Sequence, residues 1–277
     1  MHSQAYTYTG QWSPDATSIA SGDGAGAIKI WNPANSALIS SIQATAGMSD
    51  TNCQVTSLRW TPDGSQIVAA IGDSYLDGSS ESNTCQGRLV LLDASTGAVV
   101  ATSQVSAFSK SANAVRVHPD GDRFVWVTDR GPILWCPSCD APNYSEKYMF
   151  DYDKTRLMLD LSPDGTRVAM VDTHKDSSFK PKILYLKSTP TSFEFGSDDY
   201  ASEDYAGAGF TSSGVAFSND GTRVAVLDNG ANFGTRYLRL FSGHIGLKVP
   251  FSTDMATCTI FSSTLSSNGN IHAHLKI

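Results

Sequence analysis

The stretch LSPDGTRVAMV, Leu161 to Val171, decides the fold of this chain, because the same phrase returns five more times. It reads WSPDATSIAS from Trp12, WTPDGSQIVAA from Trp60, VHPDGDRFVWV from Val117, FSNDGTRVAVL from Phe217 and LSSNGNIHAHL from Leu265. In each phrase an apolar or aromatic residue leads into a Pro-Asp-Gly type turn. Proline presets φ at the second turn position, aspartate caps the turn with its side chain, and glycine takes the positive φ that follows. Alternation comes next, as in Arg167-Val168-Ala169-Met170-Val171 and Arg223-Val224-Ala225-Val226-Leu227, the period-two pattern of a strand. The turn residues Asp15, Asp63, Asp120, Asp164, Asp220 and Asn268 recur about 44 to 57 residues apart, which signals stacked supersecondary units with insertions between them.

Working outward, further strand-like runs lie between the phrases: Ala27 to Trp31, Arg88 to Leu92, Ile133 to Trp135, Lys182 to Leu186 and Tyr237 to Phe241. Ala37 to Ile42, Ala98 to Val105 and Ser192 to Phe195 are the best candidates for fourth strands. Four antiparallel strands per unit is the blade of a β-propeller. The expected fold is therefore all-β, one propeller domain over 1–277. Its blades fall near 4–43, 54–105, 112–151, 155–196 and 212–251, with a partial sixth at 256–277. Three ways of completing such a ring are open: a truncated chain, two strands supplied by a neighbouring copy, or a five-bladed ring that uses the last hairpin differently.

The stretch GDGAGAIKIWN, Gly22 to Asn32, resembles the closing part of a WD repeat, with Trp31 and Asn32 where that family often has Trp-Asp. The later units resemble the Ser-Pro-Asp-Gly repeats of TolB-like propellers. The resemblance spans the whole chain and implies the propeller fold. Departures are visible, since the other third strands end in Leu92-Asp93, Trp135-Cys136, Leu186-Lys187 and Phe241-Ser242, and a Gly-His pair stands only at Gly243-His244.

With 277 residues the chain is long enough for one sizeable core. Net charge is −7 with 17% charged residues and no basic cluster, so a phosphate-binding surface and nucleic-acid partners are not expected. No apolar run reaches the roughly 18 residues of a membrane span, and Met1 to Gly10 reads as a strand rather than a secretory leader. Cys53 and Cys85 flank the long loop of the second blade and are candidates for a disulfide closing it, with unpaired thiols as the alternative. Cys136-Pro-Ser-Cys139 is a CxxC pair, read as a local disulfide or plain thiols before metal, because a second such pair is missing. Low charge, abundant Ser and Thr and these pairs favour an extracellular, oxidising setting over the cytoplasm.

Alternation of strand direction sorts the connections onto two ends of each blade. The Pro-Asp-Gly turns and the joints from third to fourth strands share one end, where only Cys136 to Lys147 is long. Nearly all other expansion falls on the opposite end: Gly72 to Gly87, Asp172 to Pro181, Asp228 to Thr235, Ala44 to Gln54 and Gly196 to Ser213. Long loops on a rigid scaffold are where binding residues sit. Asp73, Tyr75, Asp77 and Glu81 belong to one, and Asp198, Asp199, Tyr200, Glu203, Asp204 and Tyr205 to another. Acids with interleaved tyrosines suit a protein or glycan contact, since Tyr gives large contact area at low entropic cost. Solvated acidic loops, or Ca²⁺ held by oxygen ligands, are the alternatives.

Catalytic patterns fail. There is no Gly-x-Ser-x-Gly elbow, and the glycines at 22, 24 and 26 lead into a strand rather than a helix N-terminus. Trp12, Trp31, Trp60, Trp126 and Trp135 sit at blade positions and read as inter-sheet packing. The expectation is a non-catalytic binding module or scaffold with no cofactor or metal, recognising a protein or glycan through its loop-rich face. A propeller hydrolase or lyase acting on a small molecule or glycan, and a self-assembling structural protein, are the alternatives.

Overall fold

The computed structural model describes residues 6–49, 53–72, 85–104, 112–128, 131–139, 144–146, 157–172, 182–188, 193–195, 211–229 and 236–242. Every regular element among them is a strand. The first sheet is β1 (Thr7–Trp12), β2 (Ile19–Asp23), β3 (Ala27–Trp31) and β4 (Leu38–Gln43). The second is β5 (Gln54–Trp60), β6 (Gln66–Gly72), β7 (Arg88–Asp93) and β8 (Val99–Thr102). The third is β9 (Ala114–Val117), β10 (Phe124–Val127), β11 (Pro132–Trp135) and β12 (Tyr144–Glu146). The fourth runs β13 (Leu157–Leu161), β14 (Arg167–Asp172), β15 (Lys182–Ser188) and β16 (Phe193–Phe195). The fifth has β17 (Thr211–Phe217), β18 (Arg223–Asn229) and β19 (Arg236–Ser242). Strands follow one another in sequence order across each sheet, and the described registers are antiparallel.

Two compact units divide the chain: Met1–Leu157 with Lys187–Phe195, and Met158–Leu186 with Gly196–Ile277. In the first unit, β5 packs against β1 and β2, and β9 packs against β5 and β6, so the leading strands of successive sheets are neighbours. In the second unit β17 packs against β14.

The apolar patterning explains this stacking. β6 and β7 read IVAAI and LVLL without polar interruption, as strands buried on both faces do. Ile67, Ala69, Ile71, Val90 and Leu92 share one core with Ala20, Ile28, Ile30 and Ile42 of the first sheet. Val68, Ala70, Leu89 and Leu91 turn the other way, into a core with Val115, Phe124, Trp126, Ile133 and Trp135 of the third. By contrast, β3 alternates buried and half-buried residues and gives this core one face. Gly22 permits the close approach of β2 to β5, since a Cβ there would fall 2.3 Å from Val55 Cγ1. In the second unit Ala169, Val171, Val224 and Val226 form a smaller core with Met158, Val215 and Phe217 beside it.

Two expectations are corrected. The segment Cys136 to Lys147 is not one long loop, because β12 occupies Tyr144–Glu146 and pairs with β11. Trp12 is not packed between sheets; it is 58% exposed, whereas Trp126 and Trp135 are buried in the core.

Candidate functional site

The turn end of the sheets is built from one repeated device. In the first unit Ser13 Oγ donates to Asp15 Oδ1 at 2.6 Å and Thr61 Oγ1 to Asp63 Oδ1 at 2.7 Å. In the second, Ser162 Oγ donates to Asp164 Oδ1 at 2.5 Å and Ser218 Oγ to Asp220 Oδ1 at 2.6 Å. The same hydroxyls accept the amides of Ser18, Gln66, Arg167 and Arg223, tying the end of one strand to the start of the next. Each carboxylate also accepts the amide two residues on. Gly64, Gly121, Gly165 and Gly221 hold φ between +68° and +86°, and Ala16 holds +57° in their place.

These bonds favour the ionised acids. The Thr61 hydroxyl and then Ser65 hold Asp63 at about 2, and the Ser218 hydroxyl followed by the Thr222 amide does the same for Asp220. Burial works to raise Asp164, and the Ser162 hydroxyl, Thr166 and the Arg167 charge overcome it, again to about 2. The turns also nest. A methyl on Gly64 would rest 3.6 Å from Pro14 Cδ, and one on Gly121 3.5 Å from Pro62 Cδ. In the second unit Phe217 N donates to Asp160 Oδ2 at 2.7 Å, and the Arg167 guanidinium stands 5.6 Å from the centre of the Phe217 ring.

The third turn departs from this scheme. His118 replaces the hydroxyl, with Nδ1 2.9 Å from Asp120 Oδ1, and Arg123 pairs with Asp120 Oδ2. Asp122 stands where its counterparts are Thr or Ser and accepts from Ser138 Oγ. Burial, then the Asp120 charge, raises its carboxyl. Ser138 lies inside a closed Cys136–Cys139 disulfide, so the CxxC pair serves here as a local bridge.

The loop end is held differently. Cys53 and Cys85 form a disulfide with Cα atoms 5.2 Å apart, joining the start of β5 to the approach of β7. Both cysteines lie in the core of the first two sheets. Gly26, at φ +77°, brings the β2–β3 turn against Thr45 and the Cys53 carbonyl. Asp23 Oδ1 accepts the amides of Ala25 and Ala27, and Oδ2 meets Lys29 Nζ at 3.4 Å. Across sheets, Ser57 Oγ accepts the amide of Val115 at 3.4 Å, and Thr56 Oγ1 donates to the Ala112 carbonyl. Two polar groups at this end stand apart. Gln54 Oε1, at the start of β5, and Asn113 Nδ2, just before β9, are buried without a hydrogen-bond partner among the described residues, as is the Trp126 indole nitrogen on β10.

The loop acids and tyrosines Asp73, Tyr75, Asp77, Glu81, Asp198, Asp199, Tyr200, Glu203, Asp204 and Tyr205 lie outside the described residues. What the structure supplies for the first group is its footing: the end of β6 on one side and the disulfide-bound Cys85 on the other. Sequence reading missed the hydroxyls that open the turns, although a Ser or Thr two residues before the turn Asp in four of the five described turns was the available signal. It also missed Gln54 and Asn113, for which neither repeat phrase nor spacing gives a cue. In the first sheet the Trp31 indole donates to Ser21 Oγ at 2.9 Å, a tie from the third strand back to the second at the residue that carries the WD likeness.

Comparison with solved structures identifies the architecture. The chain is similar to the β-propeller domain of Cps50 (Swd1) from Myceliophteria thermophila, at 16% identity and a TM-score of 0.56, over 90% of this chain and 69% of that one. It therefore has a propeller fold. No protein-family model matches the sequence, and comparison with curated proteins gives no match. Among the described residues no helix is long and apolar enough to cross a membrane.

Proposed function

We propose that this protein is a binding module that recognises a protein or glycan through the loop-rich end of its sheets. The observation that carries this reading is the contrast in how polar groups are used at the two ends. At the turn end the hydroxyls and carboxylates of the repeated device bond one another. At the loop end Gln54 Oε1 and Asn113 Nδ2 are buried without a partner among the described residues, an acceptor and a donor whose desolvation those residues do not offset. They stand beside a loop fastened by the Cys53–Cys85 disulfide. A site built to hydrogen-bond a partner's hydroxyls or amides leaves groups of this kind waiting.

The acidic and aromatic loops at 73–84 and at 198–205 are each contact candidates in this reading, and the two disulfides fit an extracellular, oxidising setting. The phrase at Leu265 continues the repeat, so 256–277 is read as the opening of a sixth blade. Probing printed glycan and peptide arrays with the intact chain tests the proposal. A reproducible hit should be lost on deletion of 198–204 and weakened at least about tenfold by Gln54→Leu with Asn113→Leu, with circular dichroism unchanged. Binding that survives all of these changes, or no hit on either array, would sink it.

A further inference from the structure

The two disulfides of the first unit differ in what surrounds their sulfurs. Cys53 and Cys85 are 7% and 0% exposed, and both belong to the core of the first two sheets. Cys136 is buried like them at 1%, but Cys139 is half-buried and follows the exposed Ser138. Their bridge joins residues 3 positions apart rather than 32, so it constrains the unfolded chain less. The pairing of β10 with β11 ends at Trp135, one residue before the bridge begins. Beyond it, Cys139 N donates to the Cys136 carbonyl at 3.4 Å, a backbone turn that keeps the two cysteines together without help from the sulfurs.

Thiol–disulfide exchange needs one sulfur that an incoming thiolate can reach and a second that can leave with its charge met. Cys139 meets the first need and Cys136 the second. Ser138 Oγ lies 3.9 Å from Cys136 Sγ and also donates to Asp122 Oδ2, which anchors the hydroxyl beside the buried sulfur. A hydroxyl hydrogen rotates to suit its acceptors. As negative charge forms on Cys136 Sγ, the Ser138 O–H turns from the carboxylate to the sulfur.

We propose that Cys136–Cys139 is a thiol–disulfide exchange site that oxidises dithiol substrates. One substrate thiolate attacks Cys139 Sγ, the bond between the two cysteines breaks, and Cys136 leaves as a thiolate beside Ser138. The substrate's second thiolate then attacks its own sulfur in the mixed disulfide and releases Cys139. The substrate gains an internal disulfide and gives up two electrons. Its two protons end on Cys136 and Cys139, so the bridge is reduced to a dithiol. This site belongs to the turn end and does not rest on the partner-binding reading.

Reduction of the intact, folded chain by dithiothreitol, followed by alkylation and peptide mass spectrometry, tests it. Cys136 and Cys139 should be labelled at least about 100-fold faster than Cys53 and Cys85. Cys136→Ser leaves Cys139 free to form a mixed disulfide with oxidised glutathione, and Cys139→Ser, which leaves only the buried Cys136, should do so at least about tenfold more slowly. Ser138→Ala should slow reduction about tenfold with circular dichroism unchanged, and Ser138→Thr should restore it. A bridge that opens no faster than Cys53–Cys85 overturns the proposal. So does equal capture of glutathione by the two cysteine variants, or reduction of Ser138→Ala at the wild-type rate. If a cysteine variant does not fold, the labelling ratio and the Ser138 pair decide.

Discussion

The two ends of the sheets solve the same problem by different chemistry. At the turn end a chain reversal is closed within six residues by a hydroxyl, a carboxylate and one residue of positive φ, as in Ser162 to Arg167. At the loop end a long connection is closed by a covalent bond between residues 32 positions apart. Local hydrogen bonding suffices where the loop is short, because little closure entropy has to be offset. Where the loop is long, a cross-link removes that entropy from the unfolded chain. The comparison teaches that the turn end is self-sufficient, while the loop end has its base fixed independently of what its loops carry.

The largest expected effect breaks the loop end. Cys53→Ala with Cys85→Ala should lower stability by about 3 to 4 kcal/mol on the chain-entropy estimate, read from urea unfolding. The melting temperature should fall by on the order of 10 °C. A loss below about 1 kcal/mol would mean that the loop base is held by packing and that the contrast between the ends is false.

Next comes the turn end. Ser162→Ala removes both the donor to Asp164 and the acceptor for the Arg167 amide at a buried position, and should cost about 2 kcal/mol. The matching change Ser218→Ala, at an exposed turn, should cost about 0.5 to 1 kcal/mol. Equal losses would show that burial does not grade these turns.

For any single turn, acid is a gentler probe. Asp63, Asp93, Asp164 and Asp220 sit at about 2 in the folded protein, against about 3.9 in an unfolded chain. Their contribution is therefore complete above about pH 4 and is lost as the pH falls from there through about 2. Unfolding free energy measured between pH 5 and pH 2 should fall as acid is added, and Asp→Asn at these turns should flatten that slope. Asp122 acts with the opposite sign, since its raised carboxyl opposes folding once ionised.

The smallest effect sharpens the repeat. Ala16 holds φ +57° where the other four described turns have glycine. Ala16→Gly relieves left-handed strain and should stabilise by about 0.5 to 1 kcal/mol, after the entropic loss of adding a glycine. A destabilised variant would mean that the Ala16 methyl makes a contact worth more than the strain.

Much of the fold was legible because its signals are local and repeated. β3 begins and ends at Ala27 and Trp31 as the alternation indicates, and β7, β15 and β19 exceed their apolar runs by only one or two residues. β12 was not legible, since the three residues Tyr-Ser-Glu are too few to show a period and form a strand only by pairing with β11. The bulges at Ile39 and Val100 were hidden for a related reason: they exist in the register between two strands, not in either strand's own pattern. The Cys53–Cys85 bridge could be nominated from its place around the loop, but pairing is a fact of distance. Trp12 carries the same sequence context as Trp60, yet Trp60 directs its indole at the Gln11 carbonyl of the preceding sheet at 3.4 Å, whereas Trp12 is 58% exposed.

The second sheet is a party wall. Successive residues of β6 look into different rooms, Ile67 and Ala69 into one and Val68 and Ala70 into the other. Nothing can be withdrawn from that strand without loosening both neighbours, so the first three sheets should melt in a single step rather than blade by blade. Damage at either margin should be felt at the far side through a strand buried from Ile67 to Gly72.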